Sequence, residues 1–149
     1  MNLQAKVMEQ LKAAMKSKDS LRLESLRAIK SAILLAQTEK GAKAELNEAE
    51  ELKLLQKLVK QRKDSAALYQ EQGREDLAQP EQAQAKIIAE FLPKQLSEAE
   101  IEQEVKNIIS ETGANSMKDM GRVMGIASKK LAGKADGKTI SVIVKKNLT

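Results

Sequence analysis

The 149-residue chain has no cysteine, histidine or tryptophan, and one tyrosine and one phenylalanine. Without cysteine there is neither a disulfide framework nor a thiolate ligand set, and a cytoplasmic protein is expected. Without histidine the commonest general base and the commonest metal ligand are both missing. Any catalysis would fall to Asp, Glu, Lys, Ser or Tyr69. Aromatic content of 1% argues against recognition of nucleic acid by base stacking, which needs Phe, Tyr or Trp platforms. Met1–Met15 carries charges throughout, so no secretory leader is expected. Nothing approaches the ~20 apolar residues of a membrane span, so no membrane partner is expected either. The scattered carboxylates lack a loop signature such as D-x-D-x-D-G, and no metal or cofactor is predicted.

What the chain does have is helical periodicity. Leu3, Val7, Leu11 and Ala14 form one stripe; Leu26, Ile29 and Ile33 form a second; Leu52, Leu55, Val59, Ala66 and Tyr69 form a third. Asp19 or Ser20 and Asn47 are candidate caps for the second and third helices. Ala42–Glu51, rich in Ala and Glu, reads as helix-forming surface. Gly73-Arg74 ends the third helix, and Pro80 fits the first turn of a fourth, where its missing N–H costs nothing. Pro93 stops that helix. Ser97-Glu-Ala-Glu100 reads as a capping box flanked by the staple Leu96 and Ile101, and Thr112-Gly113 closes the helix it opens. Ser116-Met-Lys-Asp119 is a weaker capping box for a sixth. Thr139-Ile-Ser-Val-Ile-Val144 reads as a strand by propensity. With Asp136 as cap and Ile140, Val144 and Leu148 at steps of four, it reads as a helix. The fold class is all-α: a four-helix lobe over residues 1–93 and a three-helix lobe over 94–149.

The net charge of +5 permits an anionic partner without demanding one. Its distribution says more: Pro93–Ala114 carries −3 and Asn115–Thr149 carries +6. In the sixth helix Met117, Met120, Met124, Ala127 and Leu131 share one side, while Lys118, Arg122, Gly125 and Lys129 share the other. The second set reads as a strip for a phosphate backbone, with Gly125 admitting close approach, or as a solvated face that happens to be basic. Gly121 reads as a close-packing position beside the apolar sector. Lys134 and Lys138 flank the turn before the last helix, where free N–H groups could hold a phosphate unless Asp136 occupies them. Lys53, Lys57 and Lys60 form a second basic strip. Arg62 falls in an apolar sector and calls for a carboxylate partner, with Asp76 or Glu90 the expected one; Arg74 has a similar need.

Gly121-Arg-Val-Met124, Gly133-Lys-Ala135 and the closing helix to Leu148 resemble the C-terminal tail domain of GatB, the tRNA-handling subunit of glutamine-dependent aminoacyl-tRNA amidotransferase. Asp119-Met-Gly121 and Ala135-Asp-Gly-Lys138 are similar to the stand-alone YqeY-type members of that family. So are Lys60-Gln-Arg62, Asp64-Ser65, Gly73-Arg74, Asp76-Leu77 and Phe91-Leu-Pro93. The resemblance implies a helix at the C-terminal end and contact with tRNA; the basic face makes Lys118, Arg122, Gly125, Lys129, Lys134 and Lys138 the residues expected to carry that contact. It also implies, as an alternative, a carbon–nitrogen ligase activity with glutamine as amido-N-donor; the long third helix and the two lobes offer a protein-interaction adaptor as a second alternative. An amidotransferase-like or other translation-related protein is then an expected partner. No catalytic residue is assigned.

Overall fold

The computed structural model describes residues 2–41 and 44–149, and among them every regular element is helical. The elements are α1 (Leu3–Ser17), α2 (Ser20–Lys40), α3 (Glu48–Glu71), α4 (Glu75–Ala89), α5 (Glu98–Thr112), a 3₁₀ turn (Met117–Asp119), α6 (Met120–Lys130) and α7 (Gly137–Leu148). The all-α expectation holds. Their contacts divide the chain into two units, Met1–Leu92 and Pro93–Thr149.

Short polar side chains start most of these helices by accepting N–H groups that the first turn leaves without partners. Asn2 accepts from Ala5 N, Asp19 from Arg22 N, and Asp136 from Lys138 N. Asn47 with Glu50 and Ser97 with Glu100 form reciprocal capping boxes. Of the Ala42–Glu51 stretch, Ala42 and Lys43 lie outside the described residues, 44–47 are not helical, and helix begins only at Glu48.

Three local expectations are corrected. The helix expected at Pro80 begins at Glu75, so Pro80 lies inside it. Glu75 and Asp76 complement the positive end of the helix dipole there, and the exposed backbone at Pro80 leaves the unbonded carbonyl one turn earlier to solvent. Ser116 makes no cap; the Asp119 carboxylate instead accepts the Asn115 N–H at 3.1 Å and shapes a 3₁₀ turn. Among the described residues Arg62 has no carboxylate partner. Its Nε donates to Gln84 Oε1 at 3.0 Å and its NH1 to the Leu58 carbonyl at 3.2 Å. Glu90 pairs instead with Arg22 and Asp76 with Arg74. Because Arg62 is only half-buried, two neutral acceptors and solvent satisfy it.

In the first unit, Leu3, Val7, Leu11, Leu26, Ile29, Ile33, Leu55, Val59 and Ile88 form the core. α3 and α4 are its most extensively paired helices, and Ala66, Ala78 and Ala85, all nearly sealed, line their packing faces. In the second unit, Ile101, Val105, Ile108, Val123, Ala127, Ile140, Val144 and Leu148 do the same from α5, α6 and α7. Burial at steps of three and four settles the ambiguity of Thr139–Val144: Ile140, Ile143 and Val144 reach one core only from a helix. An isolated strand would leave its backbone groups unpaired.

Candidate nucleic-acid interface

The second unit's core determines which way α6 faces. Val123 and Ala127 are fully buried, and Met120 and Met124 pack against the same cluster. Arg122, Gly125 and Lys129 therefore project from the opposite side, and all three are exposed. Lys118 is exposed too, but it belongs to the 3₁₀ turn, whose period of three does not continue that of the α-helix. Helical spacing alone does not put it on the Arg122–Lys129 face.

Ion pairing separates the cations of this unit. Lys130 Nζ lies 3.0 Å from Glu104 and Lys146 Nζ 3.7 Å from Glu102, so carboxylates of α5 neutralise both. The contact with Glu104 raises the Lys130 pKa above its ordinary value. Arg122 NH2 is 3.1 Å from Asp119, a local surface pair of small energetic weight. Lys118, Lys129, Lys134 and Lys138 make no ion pair or side-chain hydrogen bond among the described residues. These four are among the cations left for a ligand.

The two glycines of α6 behave unlike packing residues. A Cβ built on Gly121 or Gly125 would meet nothing within 4 Å. The close-packing expectation for Gly121 is thereby corrected: both glycines face open space. An interior helical glycine costs about 1 kcal/mol relative to alanine, and nothing in the unit compensates for it at Gly125.

The turn after α6 is built from within. Gly133 adopts φ 75°, which favours glycine. Gln95 Nε2 donates to the Gly133 carbonyl at 2.6 Å, and the Leu96 N–H donates to the Lys134 carbonyl at 2.9 Å. The Asp136 carboxylate accepts the Lys138 N–H and the Thr139 hydroxyl, each at 3.3 Å. The start of α7 thus carries its own anion, and Lys134 and Lys138 offer exposed ammonium groups rather than a phosphate cradle.

Sequence reasoning passed over Lys145. It is exposed and has no ion pair among the described residues, and lies at steps of four and three from Lys138 through Val142, which is 61% exposed. That spacing puts all three on one face of α7 and was the available signal. Among the described residues no group of three or more acidic side chains is placed to hold a metal ion, and no helix is long and apolar enough to cross a membrane.

A sequence model of the YqeY-like protein family matches residues 4–148. Among curated relatives, altered inheritance of mitochondria protein 41 of Clavispora lusitaniae is 36% identical over 107 residues, covering 70% of this chain and 61% of that protein. Its counterpart in Lachancea thermotolerans is 35% identical over 109 residues, covering 72% and 58%. That of Pyrenophora tritici-repentis is 33% identical over 130 residues, covering 84% and 68%. The chain spans about six-tenths of the length of the first two. Each of these relatives is named as a mitochondrial protein, which overturns the cytoplasmic expectation. Lack of cysteine excludes a disulfide framework but does not tell one reducing compartment from another.

Proposed function

The chain belongs to the YqeY-like protein family, and from that we propose that it is a tRNA-binding accessory protein related to the amidotransferase tail domain. Its contact surface is the outer face of α6 with the turn that follows. The observation that carries this reading is Gly125: a helix-interior glycine, exposed, with open space beyond it and cations on either side. A helix that gives up stability for smoothness at such a point suits a partner whose backbone comes close. A sugar-phosphate chain is such a partner, and it rewards lysine and arginine contacts without needing aromatic platforms. Lys118, Lys129, Lys134 and Lys138 supply charge that no internal carboxylate cancels, while Arg122 exchanges a weak local pair for a phosphate.

Titration of the purified chain with tRNA at several salt concentrations tests this. Binding should weaken as salt rises, and the log–log slope should fall by about 0.7–0.9 for each phosphate contact removed. Replacing Lys118, Arg122 and Lys129 together with alanine should lower both affinity and slope. Unchanged affinity and slope in that variant would end the proposal.

A further inference from the structure

The first unit carries a groove that its own helices do not fill. It runs between α3 and α4, has a volume of about 350 Å³, and its apolar lining is Ala66, Ala67, Ala85 and Ala89. Its rim is Lys63 and Gln70 from α3 and Gln82 and Lys86 from α4. Two features distinguish it from an ordinary seam between helices.

The first is charge. Lys63 has lysine, valine and alanine at the positions three and four residues away, so its own helix offers no carboxylate. Lys86 has one, Glu90, and that is held by Arg22 at 2.9 Å. Both residues are exposed, and neither ammonium group has an ion pair among the described residues. The second is a pair of amides left to solvent. The side-chain amides of Gln70 and Gln82 bond to no other side chain or backbone group among the described residues. Elsewhere on the same hairpin the comparable groups are engaged: Arg62 donates to Gln84, and Gln84 Nε2 donates to Glu24 at 3.3 Å.

We propose that this groove docks an acidic amphipathic helix of a partner protein. The small alanines let a helix approach closely, and the methyl groups of Ala67 and Ala89, which are not sealed between α3 and α4, reward apolar contact. Lys63 and Lys86 pair with carboxylates flanking the partner's apolar stripe, and Gln70 and Gln82 bond its polar flank. The lining runs seven residues along each helix, from Lys63 to Gln70 and from Gln82 to Ala89, roughly 10 Å at 1.5 Å per residue, which matches about two turns of the incoming helix. A phosphate backbone would be drawn to the two lysines but would gain nothing from the methyl groups, so the methyl groups favour peptide over RNA.

The test uses the full chain and a fluorescein-labelled helical peptide of about 15 residues, with alanine or leucine on one face and glutamate on the flanks. Fluorescence anisotropy should show saturable binding, and the same peptide with lysine for glutamate should bind about tenfold more weakly or worse. The double variant Lys63→Glu/Lys86→Glu should lose binding by at least about tenfold, as should Ala67→Trp, which fills the groove from an exposed position. Circular dichroism should show both variants helical, since none of the three side chains is buried. The proposal is overturned if the glutamate peptide does not bind, or if either variant binds it like the parent. It is also overturned if a duplex RNA displaces the peptide and itself loses affinity on Lys63→Glu/Lys86→Glu but not on Ala67→Trp.

Discussion

A Cβ at Gly125 would meet no heavy atom within 4 Å, so alanine there should help α6 fold. The expected gain for Gly125→Ala is about 0.5–1 kcal/mol, read as a higher urea midpoint. The same variant should bind tRNA more weakly, because the added methyl stands where the sugar-phosphate chain comes in. A variant both more stable and equally tight would separate Gly125 from the binding face. The sequence showed Gly125 among cations but could not show the empty space around it, since that depends on where α5 and α7 lie. Arg62 teaches the same lesson. Its place on an apolar stripe was legible, but its acceptors, Gln84 and the Leu58 carbonyl, were not. Half-burial relieved the need for a carboxylate, and half-burial is decided by neighbours remote in sequence.

Helix boundaries were the most legible elements, because a cap is a contract between residues two to four apart. Ser97 and Glu100 show it in full: Ser97 Oγ accepts the Glu100 N–H and the Glu100 carboxylate accepts the Ser97 N–H, each at 3.2 Å. Ser97→Ala should cost about 1 kcal/mol, measured by chemical unfolding. The Ser97 N–H also holds the Glu100 carboxyl below its ordinary value of 4.5. A carboxyl shifted down in the folded state contributes stability above its unfolded pKa and loses it as pH falls through the folded one. The urea midpoint should therefore drop on acidification from pH near 5 downward, and Glu100→Gln should drop by less. An equal drop in both would remove Glu100 from the acid response. Where a cap failed, at Ser116, a competing local bond had won: Asp119 took the Asn115 N–H and tightened the backbone into a 3₁₀ turn. Two adequate local partners were visible there, and sequence alone does not rank them.

At the scale of the whole molecule, two cores share no residue: Leu26, Ile29 and Ile88 are sealed in one, Val105, Val123 and Val144 in the other. Leu26, 0% exposed, should cost about 2–5 kcal/mol when cut to alanine. Hydrogen exchange should report the loss in amides of α1–α4 and leave those of α5–α7 near their parent rates. Uniform loss across both sets would mean that the two cores unfold as one. What the sequence by itself determined is the all-α class, most helix starts and the buried face of each helix. Those follow from caps and from a 3.6-residue period, both of which act within a few residues along the chain. Only the tertiary structure decided which cations are free, because α5 brings Glu104 to Lys130 and Glu102 to Lys146. It alone also decided that Thr139–Val144 has a core to join as a helix, that Gly125 faces open space, and that a groove stays open between α3 and α4 within the first unit. Each of those depends on residues far apart in the chain being brought together, and distance along a sequence carries no record of distance in space.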